Sequence, residues 1–159
     1  MGFTYSASAS ADAMAGRNYP PRPILAVSAA IIRDRKVLIV RRARPPAEGL
    51  YTLPGGVVEA GETLVEAVKR EVREETALTI EPVALAGYRE AIGRDAGGRV
   101  ERHFVILPFW ARWIAGEPAL NEELSEAMWL DPPRIATLPT TAGLAEIVAA
   151  ALALGAAAR

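Results

Sequence analysis

The sequence predicts an α/β chain of the α+β kind, a mixed β-sheet sandwiched between helices. Three features lead there. Two β-branched runs, ILAVSAAIIR (24–33) and KVLIVRR (36–42), are separated only by Asp34 and Arg35, which marks a hairpin. A stretch of helical period follows at 63–76, where Leu64, Val68 and Val72 recur every four positions. Further strand-like runs then lead to an alanine-rich C-terminal segment, so the order is strands, helix, strands, helix. A length of 159 residues suits one domain with a core of its own.

Residues 1–23 (MGFTYSASASADAMAGRNYPPRP) are small, polar and proline-ended, and read as a flexible arm. The domain is expected to span 24–154, with 155–159 as a tail. After the hairpin, ARPPAEG (43–49) is a loop because two prolines block regular pairing, and LYTLPGG (50–56) leads into a glycine turn. Thr63 and Glu66 form a T-x-x-E capping box at the start of the helix, whose Leu64/Val68/Val72 stripe is buried. PVALAGYRE (82–90) reads as a strand and IGRDAGGR (92–99) as a loop containing a hairpin turn. HFVILPFWARW (103–113) is a long strand in which Pro108 points to an edge or a bulge. GEPALNEE (116–123) is a loop and AMWL (127–130) a short strand; Thr140 or Thr141 is expected to cap a last helix ending near Leu154.

Composition narrows the functional classes. The chain is 51% hydrophobic and 23% charged, an ordinary globular mix, and its net charge of −1 gives no support for a stable nucleic-acid partner. With no cysteine, disulfides, thiolate metal sites and cysteine nucleophiles are excluded, and a single histidine, His103, excludes a multi-histidine metal site within one chain. The longest apolar stretch, GLAEIVAAALALGAAA, is interrupted by Glu146 and is short for a bilayer crossing. The first residues lack the basic start and apolar middle of a secretion signal, so the cytoplasm is the expected compartment.

One stretch asks for an explanation. REVREE (70–75) places Glu71 and Glu75 one helical turn apart with Glu74 beside them, and like charges at that spacing repel by about 0.2–0.5 kcal/mol per pair. Arg70 lies four residues before Glu74 and offsets part of this. Two readings are open: a solvated helix face of mixed charge, or a site for a hard divalent cation, which takes oxygen ligands and would turn repulsion into binding energy.

The spacing resolves further. Gly56, five residues, Glu62, seven residues, then Arg70-Glu71-Val72-Arg73-Glu74-Glu75-Thr76-Ala77-Leu78 resembles the Nudix box, G-x5-E-x7-R-E-U-x-E-E-x-G-U with U aliphatic. Only the late glycine departs, being Ala77 here, and Leu53-Pro54-Gly55-Gly56 before the box is also typical of the family. The resemblance implies a Nudix fold and a pyrophosphohydrolase that cuts a nucleoside diphosphate linked to another moiety, using water and Mg²⁺ or Mn²⁺. It implies Glu71, Glu74 and Glu75 as metal ligands together with the Gly55 carbonyl, Arg70 as an orienting residue, and Gly56 with Glu62 as the brace between loop and helix. Glu71 is a candidate base; Glu123, in the loop before AMWL, is the other, and an exposed acidic loop is the alternative reading for it. At Ala77 a left-handed residue would cost about 1 kcal/mol, so the helix is expected to end in a different way.

Other residues keep open readings. Arg41, Arg42 and Arg44 either meet substrate phosphates or are a solvated strand end. His103 reads as structural before it reads as a substrate contact, and Trp110, Trp113 and Trp129 read as core. The substrate is a nucleotide sugar, an ADP-ribose-like molecule or a nucleoside triphosphate. The proline that ADP-ribose hydrolases often carry about sixteen residues past the box is Arg94 here. A catalytically weak nucleotide-binding module is the alternative function; it is disfavoured because every box carboxylate is present. Family members are often homodimers, although no stripe in the sequence marks an interface.

Overall fold

A computed structural model describes residues 16–158. Most of the expected N-terminal arm, residues 1–15, and Arg159 lie outside the described residues. The chain forms strands β1 (Ile24–Arg33), β2 (Lys36–Arg42), β3 (Tyr51–Thr52) and β4 (Gly55–Val57), then helix α1 (Leu64–Thr76). Strands β5 (Thr79–Leu85), β6 (Arg89–Arg94), β7 (Val100–Ala115) and β8 (Leu124–Leu130) follow, then a 3₁₀ turn (Pro132–Thr137) and helix α2 (Leu144–Ala157).

β1 and β2 are joined by a two-residue turn in which Asp34 and Arg35 both have positive φ, 49° and 65°, matching the twist of a tight hairpin. The strands soon part. β2 turns to pair with β8 and β3, while the first half of β1 pairs with β4. β1 then runs parallel to β7 over Ile24–Ile32. The 16-residue β7 is the spine, because its other edge is shared by β5 and β6.

Alternate side chains of the central strands feed two cores. Val27, Ala29, Ile31, Leu38, Val40, Phe109 and Ala111 face Ala67, Val68 and Val72 of α1. Ala30, Val37, Ile39 and Trp110 face Leu144, Val148 and Ala151 of α2. Burial on both faces is why the two N-terminal runs are almost continuously apolar. Trp110 is thus core; Trp113 and Trp129 pack at the margin of the α1 side, with the Arg33 guanidinium 4.1 Å and 5.6 Å from their rings.

Several elements differ from the sequence expectation. The stretch 82–90 is two strands, because Gly87 (φ 128°) breaks it, and β6 extends into the stretch read as a loop, leaving Asp95–Arg99 as the turn. Pro108 lies in the most central strand, not at an edge. Amide and carbonyl of one strand residue point the same way, and the Pro108 carbonyl accepts from Ala86 where β5 gives way to β6, so the missing donor falls in a gap in the ladder. β7 begins at Val100, so His103 lies within it, opposite Ile92. α2 starts after Gly143 with no side-chain cap and continues through Ala157, so most of the expected tail is helical. The expected cap, Thr141, instead bonds to Thr52. Residues 16–23 are tied to the fold at Tyr19, whose amide donates to the Glu101 carbonyl and whose hydroxyl donates to Asp95 at 3.0 Å.

Candidate active site

Helix α1 begins with the expected capping box. The Thr63 hydroxyl accepts from the Glu66 amide at 3.1 Å, and the Glu66 carboxylate accepts from the Thr63 amide at 2.7 Å. The helix ends at Ala77 with φ 61° and ψ 9°, the left-handed conformation that glycine would adopt without strain. The expectation that alanine would make the helix end otherwise is therefore corrected: the 5→1-type bond from the Ala77 amide to the Arg73 carbonyl, 2.9 Å, is kept in spite of the Cβ.

The three helix acids do not share one exposed face. Glu75 is 5% exposed, the Glu71 side chain 13% and the Glu74 side chain 53%. Glu75 follows Val68 by seven residues and Val72 by three, so it belongs to the buried stripe. Its carboxylate accepts from the Gly55 amide at 3.0 Å. Thus Gly55 meets this acid through its N–H; the sequence reading considered only its carbonyl. Both glycines are required by close approach. A Cβ on Gly55 would overlap the β1 backbone at Val27 and Ser28, and one on Gly56 would overlap the Glu71 carboxylate.

Arg70 is the hub. Its guanidinium makes two bonds to the Glu62 carboxylate, one of them at 2.9 Å, and others to Glu71 (2.9 Å), Glu74 (3.3 Å) and the Val57 carbonyl (3.0 Å). Glu62 also accepts from the Glu59 amide, 2.9 Å. One arginine thereby joins the loop (Glu62, Val57) to two acids of the helix through an ion-pair network. Arg70 holds the Glu62 carboxyl down at about 2, with the Glu59 amide contributing.

Glu123 is brought to the same place. Its loop is tied to the end of α1 by Asn121 and Ala119 amides donating to the Glu75 and Thr76 carbonyls, and to β2 by the Ala43 amide donating to the Glu123 carbonyl. Burial pushes Glu75 up to about 9; Glu71 and Glu123 add to that rise, and the Gly55 amide opposes it. Burial also raises Glu71, with Arg70 acting against it. Among the described residues Glu75 has no cationic partner.

Among the described residues, the three arginines of β2 and its loop form no ion pair with Glu71, Glu74 or Glu75. Arg41 donates to the Gly49 carbonyl (3.1 Å) and lies over the Tyr51 ring, and Arg42 donates to the Pro46 carbonyl (2.6 Å), so both bind the 43–49 loop to its own strand. Arg44 pairs with Glu122 at 3.2 Å, one residue from Glu123.

The donors present fit a hard divalent cation: all are oxygens, and a buried carboxylate without a positive partner stays ionised only where a cation meets it. In the arrangement seen, among the described residues, no three carboxylates converge on one ion position. Arg70 draws Glu71 and Glu74 towards itself.

The Nudix domain family model matches residues 22–151. The chain is a member of the Nudix family. It is 38% identical over 109 residues to the ADP-ribose pyrophosphatase of Methanocaldococcus jannaschii, an alignment that takes in 69% of this chain and 62% of that protein. A Nudix hydrolase of Bacillus subtilis is 32% identical over 110 residues, 69% of this chain and 67% of that one. Among solved structures, the MutT protein of Methanosarcina mazei superposes with a TM-score of 0.70 at 26% identity, covering 85% of this chain and 97% of that one. A MutT Nudix hydrolase of Burkholderia pseudomallei gives 0.69 at 28%, covering 80% and 97%. The fold is therefore the Nudix fold, as the box implied. No helix among the described residues is long and apolar enough to cross a membrane.

Proposed function

We propose that this Nudix family member is a Mg²⁺- or Mn²⁺-dependent pyrophosphohydrolase that cuts a nucleoside diphosphate linked to a second moiety. The observation that carries the proposal is the buried Glu75 carboxylate, set beside Glu71 and Glu123 with only an amide as its protein donor. Identity of 38% to a protein named an ADP-ribose pyrophosphatase favours a nucleotide-sugar or ADP-ribose-like substrate over a nucleoside triphosphate. Arg94 in place of the expected proline shows that the sequence does not follow every ADP-ribose signature.

Glu71, Glu74 and Glu75, with the Gly55 carbonyl, would hold the ion. Once bound, it neutralises charge on the pyrophosphate oxygens and acidifies water nearby. Arg70 fixes the Glu71 carboxylate against Gly56, while Glu74, exposed and joined to Arg70 at 3.3 Å, is free to turn. Glu123 is the stronger candidate for the base. It faces Glu71 and Glu75 and has no arginine bound to it among the described residues, whereas the Glu71 carboxylate is held by Arg70 at 2.9 Å. A proton taken from the attacking water onto Glu123 leaves hydroxide to form the new P–O bond as the phosphate leaving group departs.

The test is a nucleotide panel incubated with Mg²⁺, followed by a coupling phosphatase and a phosphate assay. Cleavage of at least one member is expected. Glu74→Gln and Glu123→Gln should each reduce kcat, the latter by about 10²–10⁴-fold. If all compounds stay intact while ligands still raise the melting temperature, the protein is a nucleotide-binding module and the proposal fails.

A further inference from the structure

Arg89 has an environment that the chemistry described so far leaves unexplained. It is half-buried, burial lowers its pKa, and it forms no ion pair among the described residues. Its one side-chain bond among the described residues is from Nη1 to the Thr141 hydroxyl, 3.2 Å. A guanidinium carries five N–H donors, so four are left without a protein acceptor there. At the start of α2, a Cβ built on Gly143 would lie 3.7 Å from Arg89 Cδ. A helix start carries positive partial charge, so the neighbourhood adds to the cost of the cation.

The register relates this residue to the acid cluster. Arg89 lies opposite Ile106, Ile106 beside Ala26, and Ala26 opposite Val57. These four residues form one row across β6, β7, β1 and β4. Three strand spacings place the Arg89 backbone about 14 Å from that of Val57. Val57 accepts from Arg70 and adjoins Gly56, which touches Glu71. Between the two ends, Ala26 is buried and paired with Ile106. On the other side of the gap where β1 and β2 part, the Thr141 hydroxyl donates to Thr52 Oγ1 at 3.1 Å, which leaves the Thr52 O–H as a further donor.

We infer that Arg89, with Thr141 and Thr52, docks a phosphate monoester carried by the substrate away from the scissile pyrophosphate, making Arg89 a specificity-determining residue. A phosphate supplies the missing negative charge, and its three terminal oxygens suit a guanidinium fork together with a hydroxyl donor. A neutral sugar or base edge would leave the charge uncompensated. This inference rests on the pyrophosphohydrolase reading and names the kind of substrate that it takes.

The experiment uses pairs that differ by one phosphate: NADPH against NADH, and coenzyme A against 3′-dephospho-coenzyme A. The full-length protein with Mg²⁺ is assayed for kcat and KM, and for the melting-temperature shift that each compound causes. In at least one pair the phosphorylated member should be preferred tenfold or more, mainly through KM. Arg89→Gln should abolish the preference and leave the unphosphorylated partner within twofold, while Arg89→Lys restores part of it. A preference absent from both pairs in both assays overturns the inference, as does an Arg89→Gln effect equal on both members. If nothing is cleaved but the Arg89-dependent difference in melting shift is present, the hydrolase reading has failed and the phosphate site stands.

Discussion

Glu75 is placed by helix geometry where an acid is least comfortable, in line with Val68 and Val72 and against the Gly55 amide. Its cost is a property of the cation-free protein. Glu75→Gln keeps the shape and removes the charge. At pH 8 the cation-free variant should therefore melt at a higher temperature than the cation-free wild type. Mg²⁺ should raise the melting temperature of the wild type and do so far less for the variant, with affinity lowered at least about tenfold, the scale on which loss of even an outer partner of a metal site is felt. Equal Mg²⁺ stabilisation of both proteins would show that Glu75 is no ligand. The same residue marks a limit of the sequence reading. The box pattern named it a metal ligand, but grouping it on an exposed face with Glu71 and Glu74 ignored that i+3 and i+7 from two buried valines is itself a core position.

At the scale of the element, α1 is held at its start by the Thr63/Glu66 box and strained at its end by Ala77. An alanine in the left-handed region costs roughly 1–2 kcal/mol, and glycine loses part of that gain through the greater freedom of its unfolded chain. Ala77→Gly should thus stabilise the protein by about 0.5–1 kcal/mol in urea unfolding, without changing kcat, since the residue touches no acid of the cluster. A destabilised Ala77→Gly would mean that the alanine methyl makes contacts worth more than the strain. The helix itself was readable from its apolar period and its cap. How it ends was not, because a local conformational preference was overruled by the tertiary bond from the Ala119 amide to the Thr76 carbonyl and by Gly116 packed at the Ala77 carbonyl.

For the whole molecule, two carboxyls act on stability in opposite directions. Glu62 has its native pKa depressed from 4.5 to about 2 by Arg70, so its contribution is complete above 4.5 and is lost as pH falls towards 2. Glu75 has its native pKa raised from 4.5 to about 9 by burial, so the cation-free fold is favoured below 4.5 and loses stability as pH rises towards 9. The cation-free protein should be most stable near pH 4.5–5 by melting temperature, and saturating Mg²⁺ should flatten the alkaline decline. A cation-free protein whose stability climbs from pH 5 to 9 would contradict the placement of Glu75.

The sequence by itself determined the pieces made from neighbours in the chain: the Asp34–Arg35 hairpin, the capped amphipathic helix, and a box whose fixed spacing carried the family and the names of the candidate acids. These are short-range matters of period, turn chemistry and composition. Tertiary structure decided what long-range pairing alone can set. It ran β1 parallel to β7, parted β1 from β2 so that β4 pairs with β1 while β3 and β8 pair with β2, and brought Glu123 to the end of α1 through backbone bonds at Ala43 and Asn121. It also left Arg89 with no acid paired to it among the described residues. Nothing in the local sequence YRE distinguishes that arginine from a solvated one, because whether a charge is compensated depends on which distant strands and helix ends fold against it.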